Sequence, residues 1–145
     1  MKTLVIYDSV HGNTEQIARA IGKGIGGEVK IVRPSELNGL EFKDFGLLVI
    51  GSPTQGGRPL PSIKDFVDKI PPDTLKNLKI AVFDTRIPAK WVSIFKYAAG
   101  RISAALEEKG IKPIAPPEGF FVKGTKGPLK EGELERAVEW AKNLA

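Results

Sequence analysis

Short apolar runs alternate with helical stripes along the chain. Leu4-Val5-Ile6, within residues 3–7, reads as a strand. Residues 14–25 place Ile17, Ile21 and Ile25 at fourfold spacing, one face of a helix. Val29–Val32 reads as a short second strand. Leu47-Leu48-Val49-Ile50 is a third, apolar throughout, as a strand covered on both faces has to be. Ile63, Phe66, Val67 and Ile70 form a helical stripe closed by Pro71-Pro72, and Ile80–Phe83 is a fourth strand. Phe95, Ala98, Ala99, Ile102, Ala105 and Leu106 make a further helix, stopped by Gly110. Ile111–Ala115 and Gly119–Val122 are predicted as two pieces of a fifth strand, parted by Pro116-Pro117. Leu134, Ala137, Val138, Ala141 and Leu144 end the chain as an amphipathic helix.

This alternation predicts an α/β fold on a parallel sheet, one domain over residues 1–145. Ligands of such sheets bind beyond the C-terminal ends of the strands, where strand order reverses. Three loops therefore matter most: Asp8–Asn13, Ser52–Pro61 and Asp84–Trp91. All three are rich in Gly, Pro, hydroxyls or Arg.

The first follows a strand and opens a helix: Tyr7-Asp8-Ser9-Val10-His11-Gly12-Asn13-Thr14. Backbone N–H groups at a helix start have no partner within the helix, and the dipole there favours an anion. Ser9, Asn13 and Thr14 add donors without adding charge, which suits a phosphate monoester. Asn13 or Thr14 would serve as a plain helix cap in a protein with no ligand, but a cap accounts for neither Ser9 nor Gly12. The second loop, Gly51-Ser52-Pro53-Thr54-Gln55-Gly56-Gly57-Arg58-Pro59, joins two restricting prolines to a glycine pair that takes positive φ and rotates at low cost. Its peptides can offer a C=O or an N–H to a ligand whose protonation changes. The third loop, Asp84-Thr85-Arg86-Ile87-Pro88-Ala89-Lys90-Trp91, sets an aromatic ring beside polar groups. Trp91 either faces a planar ligand or packs under the following helix.

Gly22-Lys23-Gly24-Ile25-Gly26-Gly27 satisfies the dinucleotide pattern G-x-G-x-x-G, but it ends a helix and precedes a strand, the reverse of what pyrophosphate requires. It reads as a helix stop and turn. With no cysteine and His11 alone, neither a metal site nor a catalytic triad is expected, and no catalytic residue is assigned. Absence of cysteine and of a membrane-length apolar run fits a cytoplasmic protein, and the N-terminus reads as a strand rather than a signal peptide. Net charge is +5, with 11 Lys+Arg against 4 Asp+Glu over residues 76–130. The lysines are scattered singly, without interleaved aromatics, so nucleic acid is not expected. The excess reads first as a solvated, lysine-rich surface, with an acidic partner protein as the alternative.

The three loops on this alternation resemble those of a flavodoxin. Ser9, Gly12, Asn13 and Thr14 match that family's phosphate loop, and Gly51, Ser52, Pro53, Thr54, Gly56 and Gly57 its second loop. Asp84, Thr85 and Arg86 stand where the third loop begins. The resemblance implies a doubly wound, five-stranded parallel sheet in the order 2-1-3-4-5. It implies FMN bound non-covalently, the phosphate on Ser9, Val10, His11, Gly12, Asn13 and Thr14. The flavin ring would lie between Ser52, Pro53, Thr54, Gln55, Gly56 and Gly57 on one side and Asp84, Thr85, Arg86 and Trp91 on the other. The Gly56-Gly57 region would turn a carbonyl toward flavin N5 when the half-reduced ring is protonated. The implied function is one-electron transfer between redox partner proteins, by a monomer or weak dimer. The alternative is an FMN-dependent NAD(P)H oxidoreductase acting on a quinone or other small acceptor. Two features depart from the family. Flavodoxins are typically acidic, whereas Arg58, Arg86 and Lys90 stand in these loops and would ease the second reduction step. No aromatic lies in residues 52–61, which leaves Trp91 as the ring partner within the loops.

Overall fold

A computed structural model describes residues 2–88 and 97–144. Its strands are β1 (Thr3–Tyr7), β2 (Val29–Val32), β3 (Leu47–Pro53), β4 (Lys79–Arg86) and β5 (Glu118–Phe121). Its helices are α1 (Asn13–Ile25), α2 (Pro61–Lys69), α3 (Pro72–Leu75), α4 (Ala98–Glu108) and α5 (Glu133–Lys142). The five strands form one sheet in the order β2-β1-β3-β4-β5, and every pairing is parallel.

Alternation along each strand sorts the core into two layers. Leu4, Ile6, Leu48, Ile50, Ile80 and Val82 pack against α2, α3 and α4 through Ile63, Val67, Leu75, Ile102 and Leu106. Val5, Tyr7, Leu47, Val49, Ala81 and Phe83 face α1 and α5 through Ile17, Ile21, Ala137 and Ala141. Covering on both faces is why these strands are apolar without interruption. Register brings the C-terminal ends level: Tyr7 stands opposite Gly51, Ser52 opposite Asp84, and Pro53 opposite Thr85. The chain leaves β1 toward β2 on one side and reaches β3 on the other, so the loops part at that end of the sheet.

Four elements differ from the sequence reading. β3 and β4 continue past their apolar runs to Pro53 and Arg86, because Ser52, Asp84 and Thr85 stay in the ladder as buried polar residues. Residues 111–115 are not a strand: the Ile114 N–H reaches the Ile80 carbonyl (2.8 Å), but Pro113, Pro116 and Pro117 cannot donate to a ladder. The fifth strand is therefore Glu118–Phe121 alone. Pro71-Pro72, read as a stop, also starts α3, where proline at the first helical position costs no hydrogen bond. The glycine-rich stretch after residue 22 ends α1 at Gly26, as expected of a stop and turn.

Candidate functional site

The first loop meets α1 without a side-chain cap. Its N-cap is Gly12 (φ 90°), and neither Asn13 nor Thr14 supplies the cap considered for them. The first intrahelical bond runs from the Gln16 N–H to the Gly12 carbonyl (3.1 Å), so the three preceding N–H groups have no acceptor within the helix. The Gly12 N–H instead donates to Ser9 Oγ (3.0 Å). Thr14 Oγ1 lies 2.8 Å from Thr85 Oγ1, joining the first loop to the third.

Asp8 holds this loop from behind. Its Oδ1 accepts the Ser9 N–H (2.9 Å) and Arg33 Nη1 (2.5 Å), and its Oδ2 accepts Ser62 Oγ (2.5 Å). Arg33 also donates to the Ser9 carbonyl (3.2 Å), so both polar groups of the Ser9 backbone are fixed. Burial pushes the Asp8 carboxyl up. The bonds from Ser62, Ser9 and Arg33 outweigh it and hold the group below the usual carboxylate range.

Ser52 ties the second loop together: its Oγ donates to the Pro53 carbonyl (2.9 Å) and accepts the Leu60 N–H (2.9 Å). At the tip, Gln55 and Arg58 exchange two backbone bonds (2.9 and 3.0 Å) around Gly56 (φ 57°) and Gly57 (φ 76°). Two positive φ values make this a two-residue hairpin turn that glycine accepts without strain. Arg101 of α4 anchors it through Nε to the Gly57 carbonyl (2.6 Å).

In the third loop Asp84 is fully buried and accepts Arg86 Nε (2.7 Å), Arg86 Nη2 (2.8 Å) and the Ala99 N–H (2.9 Å). Arg86 also lies 3.7 Å over the Tyr97 ring. Burial drives the Asp84 carboxyl above its ordinary range, only partly offset by Arg86 and Ala99.

The three loops enclose a cavity of about 330 Å³. Ser9, Val10, His11, Asn13 and Thr14 line one side, and Pro53, Thr54, Gln55 and Gly56 another. Thr85, Arg86 and Ile87 from the third loop also line it, as do Val122 and Thr125 from beyond β5.

Residues 4–91 match the family model described as Flavodoxin domain, more than half of the 145-residue chain. The chain belongs to the flavodoxin family. A flavodoxin from the domain Archaea superposes with a TM-score of 0.81 at 23% identity, over 100% of this chain and 96% of that one. Flavodoxin 2 from Bacillus cereus does so with a TM-score of 0.73 at 24% identity, over 99% and 97%. The flavodiiron protein from Giardia intestinalis gives 0.79 at 22% identity, but 99% of this chain covers only 35% of it. No curated protein matches the chain by sequence. Flavodoxins bind flavin and transfer electrons, and family membership places this chain among such proteins.

The sequence-selected residues of this flavodoxin divide by position. Eleven of the residues named for the three loops line the cavity directly: Ser9, Val10, His11, Asn13, Thr14, Pro53, Thr54, Gln55, Gly56, Thr85 and Arg86. Gly12, Ser52, Gly57 and Asp84 shape the loops from behind the lining. Trp91 and Lys90 lie outside the described residues. Asp8 and Asp84 end strands that β3 separates, and each binds its own arginine. Because Arg86 is neutralised by Asp84, the cationic rim expected from Arg58, Arg86 and Lys90 is thinner than the sequence suggests. Ile87 was read only as part of the third loop, and Val122 and Thr125 were not foreseen. The Gly, Thr and Pro content of residues 123–128, directly after the fifth strand, was the available signal. Among the described residues, no cluster of His, Cys, Asp or Glu is placed to hold a metal, and no helix is long and apolar enough to cross a membrane.

Proposed function

We propose that the cavity binds FMN non-covalently and that the protein carries electrons between redox partner proteins. The uncapped start of α1, opening into a cavity that the three C-terminal loops line together, is the observation that carries this reading. The donors fit a phosphate monoester. Ser9 Oγ already accepts the Gly12 N–H, so its own proton is left to donate. Of the Thr14 and Thr85 hydroxyls, one donates to the other, and the second proton is available to a ligand. With the free N–H groups of α1 these make a neutral, multidentate cradle.

Bound FMN would supply the one-electron chemistry. The chain's own groups position and shield it. Asp8 and Arg33 keep the Ser9 peptide in one orientation. Arg101 and the paired bonds of Gln55 and Arg58 restrain the turn on either side of the Gly56–Gly57 peptide, which retains glycine's freedom to present its C=O or its N–H. Pro53 and Ile87 add apolar surface to the cavity lining.

Titration of the protein with FMN, followed by flavin fluorescence, tests the reading. Quenching should saturate at one FMN per chain, and riboflavin, lacking the phosphate, should bind at least about tenfold more weakly, the loss of one or more charge-assisted hydrogen bonds. Absence of FMN binding would end it. Rapid bleaching of the bound flavin by NADH or NADPH without added reductase would instead identify a turnover oxidoreductase.

A further inference from the structure

We propose that the hairpin following β5, residues 122–129, is a fourth wall of the cofactor site and that Thr125 is a binding residue for the phosphate-bearing end of the flavin. This rests on the FMN reading above. Thr125 and Val122 line the same cavity as Ser9, Asn13 and Thr14. Thr125 is exposed, so its hydroxyl is open to a ligand, and its chemistry repeats that of the first loop: a short neutral donor.

The hairpin is built to stand there. The Val122 N–H donates to the Arg86 carbonyl (2.9 Å), which fastens its base to the end of β4. Val122 bridges Leu129, and the Lys123 N–H donates to the Pro128 carbonyl (2.9 Å). The Gly127 N–H closes the tip on the Gly124 carbonyl (2.9 Å). The tip then rests on the phosphate loop itself: a Cβ at Gly127 would stand 2.6 Å from Asn13 Oδ1, and Gly127 has φ 95°. The positive φ favours glycine, and its bare Cα lets the tip approach Asn13. Charge points the same way: residues 122–130 hold Lys123, Lys126 and Lys130 and no carboxylate. A dianion at the start of α1 would be drawn to such a segment.

The test compares FMN and riboflavin binding, by fluorescence quenching, in Thr125→Val, Thr125→Ser and Lys123→Gln/Lys126→Gln. Loss of one hydrogen bond to a charged group should weaken FMN about tenfold in Thr125→Val, with riboflavin unchanged and FMN affinity restored in Thr125→Ser. The lysine pair should lower FMN affinity at low salt and flatten its salt dependence. These are exposed hairpin positions, and thermal melts check that each variant folds. If wild-type protein prefers FMN to riboflavin and Thr125→Val and the lysine variant do so equally, the hairpin is only a neighbour; the proposal falls and the FMN reading stands. If Thr125→Val weakens both flavins alike, the phosphate assignment of Thr125 is wrong. If wild-type protein binds neither flavin, both readings fall.

Discussion

Arg86→Met isolates the buried charge beneath the cavity. Methionine keeps much of the apolar stem, while the guanidinium is lost together with its position over Tyr97. Asp84, with no exposed surface, then keeps the Ala99 N–H but loses two charge-assisted bonds of 2.7 and 2.8 Å. Stranding a buried carboxylate in this way costs about 3–5 kcal/mol. The carboxyl can limit that cost by taking up a proton, since burial already holds it above its ordinary range. Above about pH 4 the unfolded chain has released that proton while the folded variant retains it. Stability therefore falls as pH rises, at up to about 1.4 kcal/mol per unit, until the raised folded value is passed. Urea unfolding of the flavin-free protein at pH 5 and pH 8 measures this. The variant should lie about 1 kcal/mol below wild type at pH 5 and about 3 kcal/mol below at pH 8. Asp84→Asn/Arg86→Met, which removes both charges, should abolish the difference between the two pH values. A loss under about 1 kcal/mol at pH 8, or an equal loss at both, would refute the burial and pairing described here.

Asp8→Asn should lower stability by about 1–2 kcal/mol at pH 7, since Arg33 loses its carboxylate partner. Asp8 is held below its ordinary range, so its contribution is present above about pH 4 and disappears as pH falls through the folded value; thermal melts should show the gap closing toward pH 3. Glu133 accepts the Phe121 N–H (2.7 Å) and Arg136 Nη2 (2.8 Å), joining α5 to β5. Glu133→Gln should cost about 1–2 kcal/mol and speed amide exchange in α5 and β5 ahead of β1 and β3; uniform exchange would contradict that local role.

How much was legible in sequence varied by element, for physical reasons. The β1–loop–α1 unit was read in full, because its signals are local: an apolar run, a hydroxyl and glycine loop, then isoleucine every fourth residue. The ends of β3 and β4 were not. Ser52 and Asp84 look like loop residues until Leu60, Arg86 and Ala99 come round to satisfy them. Residues 111–115 misled because apolar content outweighed Pro113, whose missing donor stops a ladder. Arg86 read as a free cation because its neutraliser, two residues away, is identifiable only once both lie on the same buried edge.

Periodicity, glycine placement and hydroxyl spacing by themselves determined the α/β class, the three loops and the hydroxyl and glycine content of the first. These are properties of contiguous residues, set by helix and strand periods and by the unpaired N–H groups at a helix start. Only the tertiary structure decided that Asp8 is gripped by Arg33 and Ser62, 25 and 54 residues away, that Arg101 anchors the glycine turn 44 residues before it, and that the hairpin after β5 leans on Asn13. Such contacts depend on which strand ends the sheet order brings together, and no local pattern encodes that order.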